Sequence, residues 1–415
     1  MLSVAEALAR VLSHFQPLEK ETVPCESAVG RVLAESVRAT LDLPPFPNSS
    51  MDGYAVRAAD VRLATQDSPV MLAVVGDIPA GRLPTLQVEP GAAARIMTGA
   101  PMPAGADAVV PVEATGLSRT GMDTPLPRNV QVHQSVPAGA YVRPAGEDVR
   151  AGEVVLVAGK VVRAYEVGVL AAFGLAQLDV IRRPRVAILS TGDELVAIDQ
   201  SPGPGQIRDS NTYSLAALTQ RAGGEPLVLG VADDSVEAVT DKLQTAVTQR
   251  ADVILSSAGV SVGAYDVVKA AVEQSGSLDF WKVRMRPGKP VAFGRYAGIP
   301  FFGLPGNPVS AIVAFEVFVR PALLKLGGRT QLAKPVVDVA LAETFNSDGR
   351  ESYLRATVTK EDGRYVAHSS GGQGSNILSA LIQANALVII PEGITEIGSG
   401  ATVKAWMLDW PEEVF

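Results

Sequence analysis

Little in this chain of 415 residues could hold a soft metal or form a cross-link. It has one cysteine, Cys25, and three scattered histidines, His14, His133 and His368. One cysteine cannot form a disulfide within the chain, which suits a reducing compartment. With so few histidines it cannot complete a Cys/His zinc centre either. Any metal is therefore expected to be a hard cation on carboxylates, such as Mg²⁺. Cys25 has no His or Lys beside it in sequence to activate its thiol and reads as a small buried hydrophobe. Basic residues are in deficit: 36 Lys and Arg against 44 Asp and Glu, a net charge of −8. A protein that neutralises phosphate backbones carries the opposite sign, so nucleic acid is not an expected partner. No apolar run reaches the ~18 residues that a membrane helix needs. In the longest candidate, near Val309 to Leu324, Glu316 and Arg320 interrupt. The first residues, Met1-Leu2-Ser3-Val4-Ala5-Glu6, lack the basic and apolar regions of a signal peptide. No membrane partner and a cytoplasmic location are expected.

What is present is core-forming: 47% of residues are apolar and 19% charged, a globular and not a disordered balance. At roughly 150 residues per domain the length suggests about three domains. Ser3 and Glu6 form a capping-box pattern. Val4, Leu8, Val11, Leu12 and Phe15 then share a helical face. Residues 1–45 close on Leu43-Pro44-Pro45-Phe46-Pro47, a stiff junction that fits neither helix nor central strand. Residues 46–149 hold short β-like runs among Gly and Pro and read as an inserted β-rich domain. Residues 150–181 read as a return to the first domain, with a strand near Glu153 to Val157 and a helix from Tyr165 to Phe173 ending at Gly174. Residues 182–329 alternate strand and helix, the pattern of a doubly wound α/β domain. Ser210 is a candidate N-cap there, Asp233-Asp234 a helix start, and Pro308 opens a helix running to Gly327-Gly328. Residues 330–415 return to period two, with Asp362-Gly363 as a two-residue hairpin turn, and read as a small β-barrel or sandwich. The expected fold class is α/β with added β domains.

In an open α/β sheet ligands bind beyond the carboxyl ends of the strands. Four such ends stand out: Ser190-Thr191-Gly192-Asp193-Glu194, Asp233-Asp234, the turn from Ser256 to Asp266, and Phe302 to Pro308. They should share one edge of the sheet. Small residues before a helix let backbone N–H groups approach an anion, although a tight βα turn needs glycine in any case. Glu194, Asp234 and Asp266 repel one another unless a cation lies between them, and a divalent ion bridging a phosphate would remove the repulsion. The plainer reading of Asp233, Asp234 and Asp266 is helix capping.

In an extended segment Lys282, Arg284 and Arg286 would share a face, with Lys289 close by. In an acidic protein that patch suggests a polyanionic ligand, although exposed basic residues are ordinary. Two loops of residues 46–149 also draw notice: Asn48-Ser49-Ser50-Met51-Asp52-Gly53-Tyr54, and Arg95 to Pro103, which includes Thr98. Both also read as turn chemistry.

Pro45-Phe46-Pro47-Asn48-Ser49-Ser50-Met51-Asp52-Gly53-Tyr54-Ala55 resembles the signature loop of the MoeA family, the molybdopterin molybdenumtransferases, which includes the gephyrin E domain. So do Ile96-Met97-Thr98-Gly99-Ala100-Pro101, Gly146-Glu147-Asp148, Ser190-Thr191-Gly192-Asp193-Glu194-Leu195, Gly259-Val260-Ser261-Val262-Gly263 and Leu304-Pro305-Gly306-Asn307-Pro308, in family order across the whole chain. The resemblance implies an elongated homodimer with four parts: a discontinuous linker and dimerisation domain (1–45 plus 150–181), an inserted β-rich domain (46–149), an α/β molybdopterin-binding domain (182–329) and a C-terminal β-barrel (330–415). It implies a reaction between molybdate and adenylylated molybdopterin, with Mg²⁺-dependent release of AMP. Glu194 and Asp266 would hold the metal, with Asp234 alongside and Asp52, Thr98 and Asp148 supplied by the partner subunit. Ser261, Lys282, Arg286, Pro305 and Pro308 would line the pterin and molybdate pocket, and Arg355 and Ser375 would reach in from the last domain. Asp52, Glu194 and Asp234 would be the catalytic acids. A molybdopterin adenylyltransferase would act upstream and molybdoenzyme maturation factors downstream.

The chain departs from the family pattern at Ala258, where glycine is usual, at Ala264, where an acid is common, and at Arg286, where lysine is common. Arg keeps the charge but not the geometry of Lys. Two rival readings follow from parts of the same resemblance: a molybdopterin adenylyltransferase, which the α/β domain alone resembles, and a non-catalytic gephyrin-like scaffold.

Overall fold

A computed structural model of the chain describes residues 1–117, 124–257 and 264–409, with 264–266 and 280–281 described by backbone alone. The chain divides into two compact units. One comprises Met1–Glu35, Gly159–Val167 and Gln177–Phe415, the other Ser36–Ala158 and Gly168–Ala176.

The first unit is built on a six-stranded sheet in the order Glu225–Ala232, Arg185–Thr191, Val253–Ser257, Ile299–Leu304, Pro290–Tyr296, Gly276–Lys282. The first four strands are parallel and the last two antiparallel. Side chains alternate between two cores. Val186, Ile188, Val253 and Leu255 join the opening helix and the helices near Leu215 and Val309 to Leu326. Ala187, Leu189 and Ile254 face the helices near Val239 to Ala246 and Val268 to Val272. Burial on both faces is why these strands read as continuous apolar runs. The opening helix, Val4–Ser13, has the capping box expected of it, with Ser3 Oγ accepting from the Glu6 N–H and Glu6 accepting from the Ser3 N–H.

Two local expectations are corrected. Ser210 occupies the cap position of Asn211–Arg221 but its side chain makes no capping bond; Asp209 Oδ1 accepts from the Thr212 N–H instead, at 3.1 Å. Asp233 and Asp234 do not begin a helix, because Ser235 caps Val236–Thr248 with a bond from the Ala238 N–H. The helix opened by Pro308 runs to Leu326 as expected, passing from Pro308–Ala314 through a π turn, Phe315–Val319, into Arg320–Leu326. Pro321 lacks the N–H that an α-helical ladder needs there.

Later in the same unit, Glu351–Glu361, Arg364–Ser369, Val336–Leu341, Thr402–Met407 and Ala386–Ile390 pair in that order. The last pairs back to the first, closing a five-stranded barrel. Asp362 and Gly363 both have positive φ, 48° and 80°, as a tight hairpin turn of this kind requires. The second unit contains a five-stranded sheet in the order Ala108–Pro111, Gly53–Val56, Ala92–Ile96, Val70–Ile78, Asn129–Val132. The strand near residue 155, Val154–Leu156, pairs with Val37–Arg38, and Gln177–Ile181 with Lys20–Pro24. Cys25 is buried, and burial pushes its thiol up. Among the described residues no helix is long and apolar enough to cross a membrane.

Candidate functional site

The four parallel strands end at one edge, and the described loops that follow them carry polar residues. Arg185–Thr191 exits into Gly192, whose φ of +148° suits glycine and few other residues. A Cβ on Gly192 would lie 2.6 Å from Glu194 Oε2, so the glycine also makes room for that carboxylate. Glu194 is exposed and its carbonyl accepts from the Ile207 N–H. On the neighbouring strand end the Asp234 N–H donates to Asp193 Oδ1 at 3.0 Å. Burial first, and then Asp193, Glu194 and Asp233, raise the Asp234 carboxyl above the ordinary Asp range. Since Ser235 does the capping, these acids are not accounted for by helix starts.

Glu194 lines a pocket of about 560 Å³ with Arg208, Asn211, Pro290, Pro305, Pro308 and others. A second pocket of about 400 Å³ shares Pro290 and Ser310 with it. That one is basic, lined by Arg286, Lys289 and Arg350 beside Ser375. Arg350, then burial and other contacts including Arg286, act on Asp348; the net effect holds its carboxyl below the usual range. Asn307 Nδ2 donates to Ser375 Oγ at 2.9 Å and the Val309 N–H to the Ser375 carbonyl at 3.2 Å, which ties the barrel loop to the strand-end loop.

Arg355 stands behind that loop. Its strand alternation puts Leu354, Ala356 and Val358 into the barrel core, so Arg355 faces outward. It is nevertheless fully buried. Its Nη2 donates to the carbonyls of Gly372 and Gly374, at 2.7 and 3.0 Å. Nε and Nη1 are buried without a hydrogen-bond partner among the described residues. Burial, and after it the charge of Arg286, weaken its hold on its proton.

The expected site residues thus fall into groups. Glu194, Pro305 and Pro308 share one pocket, and Arg286 and Ser375 the adjoining one. Lys282 is exposed and lines neither; it ends the strand Gly276–Lys282 in register with Pro290. The expected common face of Lys282, Arg284 and Arg286 does not exist, because the strand stops at Lys282. Val283 then bridges to Leu2, Arg284 pairs with Glu392 at 2.5 Å, and Arg286 joins the barrel strand at Ser352. Ser261 and the turn from Ala258 to Gly263 lie outside the described residues, as do the side chains of Ala264 and Asp266. Asp52, Thr98 and Asp148 belong to the second unit. There Asp52 Oδ1 accepts from both the Thr98 N–H, at 2.7 Å, and the Thr98 hydroxyl, at 2.8 Å. Asp148 donates its N–H to the Leu43 carbonyl at 2.9 Å.

Asn211, Asn307 and Arg350 were not anticipated. Asn211 Nδ2 donates to Ser257 Oγ at 2.6 Å and to the Gly306 carbonyl at 2.7 Å, joining two strand-end loops. No spacing marks a loop asparagine for such a role. Arg350 could have been noticed as a cation five residues before Arg355 at the start of the same strand. Among the described residues no group of three His, Cys, Asp or Glu is already arranged to hold a metal.

Three family models match the chain: the MoeA N-terminal region (domain I and II) over residues 2–174, the probable molybdopterin binding domain over 187–325, and the MoeA C-terminal region (domain IV) over 338–408. The chain is 42% identical to molybdopterin molybdenumtransferase 2 of Mycobacterium tuberculosis, over 98% of this chain and 100% of the relative. It is 36% identical to molybdopterin molybdenumtransferase of Haemophilus influenzae, over 97% and 98%. The crystal structure of a molybdopterin biosynthesis moeA protein from Pyrococcus horikoshii OT3 superposes with a TM-score of 0.80 at 31% identity, covering 98% of this chain and 100% of that one.

Proposed function

The chain belongs to the MoeA family of molybdopterin molybdenumtransferases, and from that we propose that it inserts molybdenum from molybdate into adenylylated molybdopterin with release of AMP. The observation that carries the proposal is Arg355. A buried guanidinium with two unmatched donors costs about 1–3 kcal/mol per unsatisfied group. It is stabilised once an acceptor-rich anion arrives. Molybdate is a tetrahedral dianion with four acceptor oxygens. Arg355, Arg286, Lys289 and Ser375 supply the charge-assisted and hydroxyl donors it requires. The adjoining pocket, with Glu194, Pro305 and Pro308, takes the pterin and its phosphates, and Lys282 and Ser261 would add contacts to the same ligand.

The oxygen donors near Glu194 fit a hard cation: burial, and after it the neighbouring acids, lift the Asp234 carboxyl, and a divalent charge relieves both. Glu194 and Asp266 would hold Mg²⁺, with the substrate phosphates and water supplying further oxygen donors, since the described residues present no ready-made cage. The ion would supply charge neutralisation at the phosphoanhydride. The chain's own part is to orient and to move a proton. Water attacks the adenylyl phosphorus, the bridging oxygen leaves with the pterin phosphate, and Asp234, lifted toward a useful basicity, takes the water proton. Asp52, held by its two bonds from Thr98, and Asp148 act from a second copy, so the working form is a homodimer. An adenylyltransferase that makes the substrate and maturation factors that receive the product are the partners this chemistry needs. The adenylyltransferase reading rests on the α/β region alone, whereas the relatives match through the inserted and C-terminal regions too.

Glu194→Ala, assayed for molybdate-dependent release of AMP from adenylylated molybdopterin, tests the proposal. Turnover should fall at least tenfold in a folded variant. Unchanged turnover would remove Glu194 from the reaction.

A further inference from the structure

A third cavity, of about 170 Å³, shares no lining residue with the two described. It lies where the end of the helix Asn211–Arg221 and the π turn Phe315–Val319 meet the barrel at Pro335, Met407 and Leu408. Its walls carry three cations, Arg221, Arg320 and Lys334, and one carboxylate, Glu316. Glu316 and Lys334 are buried, with Lys334 Nζ 3.0 Å from Glu316 Oε2 and Arg320 Nε 3.8 Å from the same oxygen. At the mouth Arg221 is engaged by Asp409 at 2.9 Å. One carboxylate therefore serves two inward cations. Burial pushes both Arg320 and Lys334 toward losing their protons; Glu316 opposes this in each, while Arg329 and Arg221 add to it at Arg320 and Arg320 and Arg221 at Lys334. A chain with net charge −8 has gathered positive charge in a place the proposed reaction does not use.

We propose that this cavity is a binding site for one small tetrahedral oxyanion of the inorganic phosphate or sulfate class, held by Arg320 and Lys334 between the α/β sheet's helices and the barrel. The volume suits it: at roughly 30 Å³ per water, about 170 Å³ holds five or six waters, enough for an ion of five heavy atoms. Arg and Lys together match its chemistry, the guanidinium as a fork and the ammonium as a point charge. Because the anion touches groups from both the helices and the barrel, its binding stabilises the folded unit by mass action.

The experiment is calorimetric titration and thermal melting of the full chain with sodium phosphate, sulfate and molybdate, against chloride at equal ionic strength. Wild type and Arg355→Ala should each bind one phosphate or sulfate, with a rise in Tm. The double variant Lys334→Met/Glu316→Gln, which removes both partners of the closer pair and leaves Arg320 its bond to the Leu332 carbonyl, should weaken that binding at least tenfold while remaining folded. Arg320→Gln should weaken it similarly. Absence of saturable phosphate or sulfate binding at millimolar concentration would overturn the proposal. So would binding lost in Arg355→Ala but kept in the double variant, or a cavity that takes molybdate and neither of the others.

Discussion

The two adjoining pockets that share Pro290 and Ser310 differ in sign and in how their charge is kept. At the strand-end pocket the carboxylate of Glu194 is exposed, with those of Asp193, Asp233 and Asp234 exposed on the adjacent turns, and Arg208 is the cation in the pocket's lining. Behind the loop of the barrel pocket, Arg355 is fully buried and anchored through Nη2 to two carbonyls. Asp234 is partly desolvated and its carboxyl is held above the usual range, whereas an exposed acid such as Glu194 tolerates having no partner because water screens it. A buried guanidinium does not, and its unmatched donors are an expense in the free protein that only an anion offsets. The acidic end is thus adjustable and the basic end pre-organised, which suits a mobile metal–phosphate group at one and a rigid oxyanion at the other.

Replacing the buried guanidinium should have the largest effect. Arg355→Lys should lower kcat/KM for molybdate by about 100-fold or more, as loss of an oxyanion donor does, because an ammonium cannot keep both carbonyl bonds and still donate forward. A loss below tenfold would mean that the buried end is not the oxyanion end. Next comes the acidic turn. Gly192→Ala sets a Cβ 2.6 Å from the Glu194 carboxylate in a backbone region of positive φ, so it should displace Glu194 and slow AMP release by about tenfold, with roughly 1–3 kcal/mol of strain seen as a lower denaturation midpoint.

A third test sharpens the contrast through pH. The Asp234 carboxyl is raised in the folded protein, so its charged form destabilises the fold. That penalty is complete above the raised folded value, shrinks as pH falls through it, and vanishes below the unfolded value near 3.8. Asp234→Asn should therefore raise Tm at neutral pH and show no gain below about pH 3.8. Millimolar Mg²⁺ should stabilise wild type more than the variant. A gain independent of pH would assign the effect to packing. The smallest effect is expected in the second unit: Thr98→Val removes one of two bonds to Asp52 and should cost about 0.5–1.5 kcal/mol by chemical denaturation, with a modest fall in turnover.

How much of this was legible in the sequence can be judged from single elements. The capping box at Ser3 and Glu6, the apolar strands near Val186 and Val253, and the Asp362-Gly363 hairpin all rest on local rules, and all are present in the fold. Ser210 and Asp233-Asp234 were misread because several adjacent polar residues can cap and geometry selects among them: Asp209 in one case, Ser235 in the other. The charge stripe of Lys282, Arg284 and Arg286 was misread because period two holds only while a strand continues, and this one ends at Lys282. Arg355 was singled out through its family motif, but its burial was not foreseen. Alternation placed it on the outside of the barrel, and the loop that covers that outside comes from residues about 17 positions later.

Taken alone, the order of residues determined the element types, the strand ends where polar groups gather, and a motif set specific enough to identify the family. Those properties depend on neighbours in the chain, where backbone preference and hydrophobic spacing act directly. Tertiary structure decided which polar groups lose their water. It left Glu194 exposed and Arg355 dry, left Asp234 uncapped among other acids, and enclosed Arg320 and Lys334 with one carboxylate. Desolvation depends on segments distant in sequence closing over a side chain, and it is desolvation that turns an ordinary arginine or aspartate into a site.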